Sequence, residues 1–298
     1  MKARTNVKLN LGLRVLGRRE DGFHELETLF VPWRGMGDDI EIVPLERASC
    51  RAGKVRLVAN PAIDWPADKD LCVKAYRALD ADWDLPPVEI RLHKQAPTGA
   101  GLGGGSADAA WTLRLLRDLF SLPLDDAALA CYAAALGSDC PFFIYNRPML
   151  GRGRGELLEP IDLDLSEYDI RVVVPEGVTV NTAQAYRDLD AAADRVGAGM
   201  SAEVRGVWGA AAPASDVGAA PLASVLTSSG AGAACEPLAE ILRLPVSQWR
   251  GRLVNDFEGP VFAAWPQIAA LKEQMYAQGA VYAAMSGSGS AVFGLFSK

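Results

Sequence analysis

The sequence predicts an α+β fold, in a chain long enough for one large domain or two ordinary ones sharing a cleft. Three observations predict it. Val88, Ile90 and Leu92 alternate with Glu89, Arg91 and His93, the period of a strand with one apolar face. Ala109, Leu113, Leu116 and Phe120 recur at helical spacing, with Arg114, Arg117 and Asp118 on the other side. Between the two lies the stretch Pro97 to Ala110, in which five of the seven residues from Gly99 to Gly105 are glycine. Such a run packs no side chains and continues neither helix nor strand well. It can present successive backbone N–H groups at the N-terminus of the following helix, where unpaired amides and the helix dipole act together on an anion. The stretch reads as a phosphate cradle, with Ser106 placed as an N-cap or first-turn hydroxyl.

The remaining elements follow in order. Val7, Leu9, Leu11 and Leu13 alternate with Lys8, Asn10, Gly12 and Arg14, a strand with Lys8 and Asn10 on one face. Asp21-Gly22 marks a tight turn with Phe23 and His24 at its tip, and a strand runs from Glu27 to Val31. Residues 38 to 60 read as two strands (Ile40, Ile42; Val55, Leu57), and a helix begins at Asp68-Lys69-Asp70-Leu71 and runs to about Leu79. His93 and Lys94 close the strand before the glycine run. A further helix, Asp126 to Leu136, stops at Gly137, a residue suited to the C′ position.

Gly151 to Gly155, with Arg152 and Arg154, is a turn or a second basic loop. Ile170, Val172 and Val174 form a strand ending at Pro175, and Val178 to Thr182 leads into a helix from Ala183 to about Leu189 that carries Tyr186. Residues 191 to 234, rich in Ala, Gly and Ser, read as loose helix and loop. Helical pattern returns from Trp249 to Ala277, and two apolar strands around a Gly/Ser turn, Ala280 to Phe296, form a hairpin.

Composition excludes some functions. A net charge of −7 argues against a nucleic-acid coat or an anionic membrane as the main partner, though a local cluster suffices for a nucleotide. Five scattered cysteines without a C-x-x-C pair suggest reduced thiols in a cytoplasmic protein. The first ten residues lack a signal-peptide hydrophobic region, and no apolar run is long enough to span a bilayer. The glycine run satisfies G-x-G-x-x-G at Gly99, Gly101 and Gly104. The dinucleotide reading, however, needs a second strand soon after the helix, and the next segment is another helix. No Gly-Lys-Ser/Thr follows, so it is not a Walker A loop, and the protein-kinase signatures are missing too.

Pro97 to Ala110 resembles the P-x-x-x-G-L-G-x-S/G-S/A-A loop of the GHMP kinases, a superfamily of small-molecule kinases. Four further stretches resemble the same family in the same order. K-L-N-L-G-L from Lys8 and G-R-R-E-D-G-F-H-E-L-E-T from Gly17 are similar to the opening of one branch, whose alcohol substrate carries a cytidine diphosphate and lies on the non-mevalonate isoprenoid route. L-G-S-D-C-P-F-F from Leu136 is similar to the family's L-G-A-D-V-P-F-F, and the final hairpin resembles its third motif. The resemblance covers Ala3 to about Tyr186 and Arg252 to Phe296.

What the resemblance implies is a GHMP kinase fold, with two α/β domains at 1–160 and 161–298 flanking an active-site cleft. It implies ATP with Mg²⁺ as cofactors and transfer of the γ-phosphoryl group to the 2-hydroxyl of the cytidylyl substrate. Lys8 and Asp139 become the catalytic pair. Pro97, Gly99, Gly101, Leu102, Gly103, Gly104, Gly105 and Ser106 hold the nucleotide with Lys94 and Asp70, and Ser106 is also a candidate Mg²⁺ ligand. Asp70 stands where the family has an asparagine at the border of the adenine pocket, and a carboxylate cannot donate the amide hydrogen bond. Asn10, Phe23, His24, Thr182 and Tyr186 hold the substrate, with cytosine between Phe23 and Tyr186 and its polar edge read by His24. The implied partner is this small molecule, with no nucleic acid and no membrane, in a monomer or homodimer. The alternatives are a homoserine or mevalonate-type kinase of the same family, or a nucleotide-binding homologue without catalysis. Lys8, Asp139 and the unbroken loop argue against the last.

Overall fold

In a computed structural model the described residues are 1–46, 53–198 and 236–298. The first layer is a four-stranded sheet of β1 (Lys2–Arg4), β4 (Asp39–Pro44), β6 (Val88–His93) and β5 (Val55–Asn60), in that order. Only β5 and β6 run parallel. Four helices pack with it: α1 (Leu71–Trp83), α2 (Gly104–Leu119), α3 (Asp126–Leu136) and α4 (Cys140–Tyr145). Ile40, Ile42, Val88, Ile90 and Leu92 meet Leu79, Leu113, Leu116 and Phe142 in one dry core, as their alternating and 3.6-residue periods require.

Two helix ends differ from the sequence reading. α1 starts at Leu71 rather than Asp68, because Asp70 is extended and its carboxylate caps the helix by accepting from the Cys72 N–H at 2.8 Å. Gly137 ends α3 in extended backbone, φ 172°, rather than in the left-handed C′ conformation.

The second sheet is antiparallel, with β2 (Val7–Arg18), β3 (His24–Trp33), β7 (Met149–Gly153) and β8 (Leu157–Pro160) in order. The third places β11 (Val292–Ser297) between β10 (Tyr282–Met285) and β9 (Tyr168–Val173). With it go α5 (Thr182–Ala198), α6 (Leu238–Ile241), α7 (Glu258–Ala264) and α8 (Pro266–Ala277). A second core joins Val7, Leu9, Leu11, Leu29 and Leu150 to Leu238, Trp249, Tyr282 and Phe293, so it draws on both sides of residue 160. A third gathers Leu13 and Val15 with Phe257, Ile268, Met275 and Met285.

The helical stretch expected from Trp249 to Ala277 is broken. Residues 254–256 instead pair with β2: the Leu13 N–H donates to the Val254 carbonyl and the Asp256 N–H to the Leu13 carbonyl, both at 2.9 Å. The Asp256 carboxylate also accepts from the Val15 N–H at 2.8 Å. The register of β2 shifts at Gly12, φ +70°, which frees these groups for the visiting segment. Pro266 then opens α8, where its missing N–H costs nothing. α5 runs on past Leu189 to Ala198, through alanines that favour helix. The expectation for 199–234 lies outside the described residues, as do Cys50 and Cys235. Cys72, Cys131 and Cys140 are free thiols. Among the described residues no helix is long and apolar enough to cross a membrane.

Candidate active site

Strand alternation sends Val7, Leu9 and Leu11 into the second core and Lys8 and Asn10 to the opposite face. That face is covered too: Lys8 is 4 % exposed and Asn10 2 %. Buried polar groups must find partners. The Lys8 ammonium donates to the Asn10 side-chain oxygen and lies 3.5 Å from the Asp139 carboxylate. Asn10 in turn donates to the Thr28 hydroxyl at 3.0 Å, which donates to the Gly12 carbonyl at 2.6 Å. Asp139, just before α4, keeps a third of its side-chain surface open to solvent. The sequence-distant pair therefore meets, with the lysine fixed from behind and the carboxylate facing the cleft.

The glycine run arrives beside this pair. Gly99, Gly101 and Gly103 have positive φ (73°, 76° and 71°), and Gly103 stands at the N-cap of α2. Ser106 is therefore a first-turn residue, not the cap. The run's carbonyls are taken: Leu102 accepts from the Lys8 N–H at 2.9 Å, Ala100 from the Ala291 N–H at 3.1 Å and Gly101 from the Ser286 hydroxyl at 3.2 Å. Among the described residues no N–H from Gly101 to Ser106 donates to another protein group. What remains of the loop's polarity is a row of donors at a helix N-terminus, the arrangement that binds phosphate oxygens.

The final hairpin backs this loop closely. A Cβ added at Gly101 would lie 2.2 Å from the Ser286 carbonyl oxygen, and one at Gly287 would lie 3.3 Å from Lys8 Nζ. The Ser286 hydroxyl also accepts from the Asn10 N–H at 3.2 Å, and the Ser288 and Thr182 hydroxyls are 2.9 Å apart. Ser286 and Ser288 were signalled only as part of a Gly/Ser turn; their contacts with β2 could not be read from spacing.

Beyond the loop is a cavity of about 300 Å³ lined in part by Trp65, Asp70, Lys94, Thr98, Gly105 and Asp108. Pro97 lies just before it, at the start of the loop. Lys94 ion-pairs with Asp38 and with Asp108, at 2.5 and 2.7 Å. Burial alone would lower the Lys94 ammonium, but the Asp108 and Asp38 charges raise it above the usual lysine value. Burial pushes the Asp108 carboxyl up to about 7, with Lys94 opposing and Asp38 adding to the shift. Lys94 is thus held by carboxylates at the cavity wall. Asp70 is committed as well: one oxygen caps α1 and the other accepts from the Trp65 indole at 3.0 Å. Sequence reasoning missed Asp38 and Asp108, whose role depends on long-range packing.

The three rings assigned to cytosine are not arranged as expected, and of them Tyr186 is the one that feels the Asp139 charge. His24 stacks on Tyr186 (centroids 4.5 Å apart, 19° between planes), and its Nε2 is 2.8 Å from the Asp190 carboxylate. Phe23, 53 % exposed, lies under the Arg154 guanidinium at 4.8 Å instead of facing Tyr186. The physical reason is the Asp190 hydrogen bond, which draws the first residue of β3 toward α5 while Phe23 stays in the turn. Burial, and then the charge of Asp139, push the Tyr186 phenol up to about 12, so it remains a neutral ring beside the carboxylate.

Among the described residues no three His, Cys, Asp or Glu side chains converge on a metal position. The nearby hard donors are the Asp139 carboxylate and the Ser106 hydroxyl, which hydrogen-bonds the buried Cys140 thiol. This sparse oxygen set fits a Mg²⁺ ion that keeps most of its ligands as phosphate and water.

Comparison with known proteins completes the description. The family model "GHMP kinases N terminal domain" matches residues 70–147, and "GHMP kinases C terminal" matches 238–298. The chain is 40 % identical over 293 residues to the 4-diphosphocytidyl-2-C-methyl-D-erythritol kinase of Parabacteroides distasonis, covering 98 % of this chain and 90 % of that one. It is 38 % identical to the enzyme of that name from Azobacteroides pseudotrichonymphae, covering 100 % and 94 %. A crystal structure of 4-(cytidine 5'-diphospho)-2C-methyl-D-erythritol kinase superposes with a TM-score of 0.67 at 32 % identity, over 99 % of this chain and 90 % of that one. Homoserine kinase from Cytophaga hutchinsonii shares the fold, with a TM-score of 0.65 at 18 % identity, over 100 % and 85 %.

Proposed function

As a member of the GHMP kinases, and within them of the 4-diphosphocytidyl-2-C-methyl-D-erythritol kinases, the chain is a small-molecule kinase, and we propose that it transfers the γ-phosphoryl group of ATP to the 2-hydroxyl of 4-diphosphocytidyl-2-C-methyl-D-erythritol. The observation that carries this reading is the Lys8–Asp139 pair, 3.5 Å apart beside a loop whose N–H groups are unpaired.

Phosphoryl transfer asks a protein chiefly for positioning and charge compensation. In this reading the amides from Gly101 to Ser106 hold the ATP phosphates, and the cavity lined by Trp65, Asp70 and Lys94 receives the base. Asp139 accepts the proton of the attacking hydroxyl. Lys8, 3.5 Å from that carboxylate, compensates charge as it develops on the transferring group. Asn10, fixed through Thr28, orients the hydroxyl side of the substrate. Phe23, His24 and Tyr186 receive cytosine, and Thr182 borders them from α5. When bound, Mg²⁺ neutralises the phosphate oxygens; Ser106 and Asp139 are the residues that would reach it.

The test is ADP release by the purified chain with each of three alcohols: the cytidylyl substrate, homoserine and mevalonate. Turnover with the first alone is the expected result. Turnover with homoserine or mevalonate instead would replace the substrate assignment and keep the kinase. No ATP consumption with any of them would remove both.

A further inference from the structure

Two arginines flank Gly153, Arg152 within β7 and Arg154 on the turn after it, and the structure separates them. Arg152, on the inner strand β7, is spent on its neighbours across the sheet, 3.2 Å from the Glu159 carboxylate and 3.6 Å from that of Glu27. Arg154 is paired more loosely, to a single carboxylate. Its guanidinium lies 4.8 Å above the Phe23 ring and 3.7 Å from the Glu156 carboxylate, beyond hydrogen-bond reach, and the Asp21 carboxylate feels its charge without bonding it. Glu156 is itself occupied, since its carboxylate accepts from the Arg154 N–H at 2.6 Å and closes the turn. The guanidinium's planar fork of donors is therefore largely unspent.

The turn is rigidly placed. The Gly153 N–H donates to the Glu25 carboxylate at 3.0 Å, and Glu25 pairs with Arg19 at 2.7 Å, so the Phe23 turn and the Arg154 turn are tied together. The next residue reaches the reaction centre: a Cβ at Gly155 would lie 4.0 Å from the Asp139 carboxylate. Arg154 thus stands between an exposed aromatic surface and the base that takes the hydroxyl proton. In the proposed function, the substrate has a nucleobase at one end, an alcohol at the other and a diphosphate between. With the base at Phe23 and the alcohol at Asp139, the diphosphate passes the Arg154 side chain.

We propose that Arg154 is the diphosphate-binding residue of the alcohol substrate, acting as a bidentate donor to its phosphate oxygens from above the Phe23 ring. This rests on the cytidylyl reading given above and adds the group that recognises the linker. Arginine suits the task because its fork matches phosphate geometry while its flat face stays on the ring.

The test compares two probes, CDP and cytidine, whose dissociation constants are measured by calorimetry for the wild type, Arg154→Ala and Arg154→Lys. Arg154→Ala should weaken CDP by about 10- to 100-fold, the scale of charge-assisted hydrogen bonds, and change cytidine by less than about twofold. Arg154→Lys should fall between the two, since it keeps the charge and loses the fork. Equal losses for CDP and cytidine would mean that Arg154 only props the Phe23 ring, and unchanged CDP affinity would mean it does not meet the phosphates; either overturns the proposal. Failure of both probes to bind the wild type would instead overturn the cytidylyl reading itself, and this proposal with it.

Discussion

Gly101→Ala offers a test of the site that can be worked from the structure before it is made. The backbone at Gly101 has φ +76°, and the added methyl would lie 2.2 Å from the Ser286 carbonyl oxygen and 3.0 Å from that of Gly289. Left-handed backbone costs a side-chain-bearing residue about 1–2 kcal/mol. The contact cannot be relieved by a side chain turning aside, since the obstacle is backbone. The hairpin turn must back off from the loop, which strains the Ala291 N–H to Ala100 carbonyl bond and the Ser286 hydroxyl to Gly101 carbonyl bond. Each such bond contributes about 0.5–1.5 kcal/mol. The total is a loss of about 2–5 kcal/mol, read as a shift in the urea unfolding midpoint at constant slope.

Gly177→Ala is the control. It has nearly the same φ, +69°, and nothing within 4 Å of the added Cβ, so it should cost the backbone strain alone, about 1–2 kcal/mol. The Gly101 variant should also bind ATP more weakly, because the amides proposed to hold the phosphates move with the loop. Equal unfolding midpoints for the two variants, with wild-type ATP affinity in the Gly101 variant, would refute the claim that the hairpin holds the loop in shape.

Three other measurements bear on the site. Asp139→Asn and Lys8→Ala should each lower kcat by about 10²-fold or more in a folded protein, the range for a lost acid–base or electrostatic group; near-normal turnover in either would remove its role. Phe23→Ala, which opens the ring under Arg154, should raise KM for the cytidylyl substrate well beyond its effect on ATP, and equal effects would end the stacking assignment. Burial, and then Asp38, raise the Asp108 carboxyl to about 7 against Lys94. With the folded value above the unfolded one, its contribution to stability is full below about pH 4 and is lost as pH rises through about 7. Asp108→Asn should therefore gain stability relative to wild type across that window, as read by urea unfolding at pH 5 and pH 8, and a pH-independent difference would contradict the assignment.

Much of the fold was legible because its signals are local. The period of Val88–His93, the helix that follows the glycine run and the run itself each depend on residues within a few positions. Asp139 opposite Lys8 was legible only through family resemblance, since the two are far apart in sequence and an aspartate at a helix exit is usually a turn former. Three things were hidden for one reason: tertiary contacts redirected a local pattern. Asp190, on the extended part of α5, turns His24 onto Tyr186. The register shift at Gly12 draws residues 254–256 out of a helical pattern and onto β2. The Asp38–Lys94–Asp108 cluster joins β4, the end of β6 and α2. No spacing rule relates those residues, and only the packing of the first core brings them within reach.

Lys8 belongs to both halves of the site through different atoms. Its backbone N–H holds the Leu102 carbonyl at 2.9 Å and so helps fix the glycine loop; its ammonium lies 3.5 Å from the Asp139 carboxylate. Lys8→Ala removes the second link and leaves the first, because alanine keeps the N–H and is compatible with a strand. The loop and its free amides should stay in place, so KM for ATP should change by less than about threefold while kcat collapses, the pattern of an interaction made chiefly in the transition state. The Gly101 variant should lose both, since it displaces the loop itself. A Lys8→Ala enzyme that lost ATP affinity in step with turnover would show that the ammonium holds the bound nucleotide, and the separation between a backbone that binds and a side-chain pair that reacts would have to be given up.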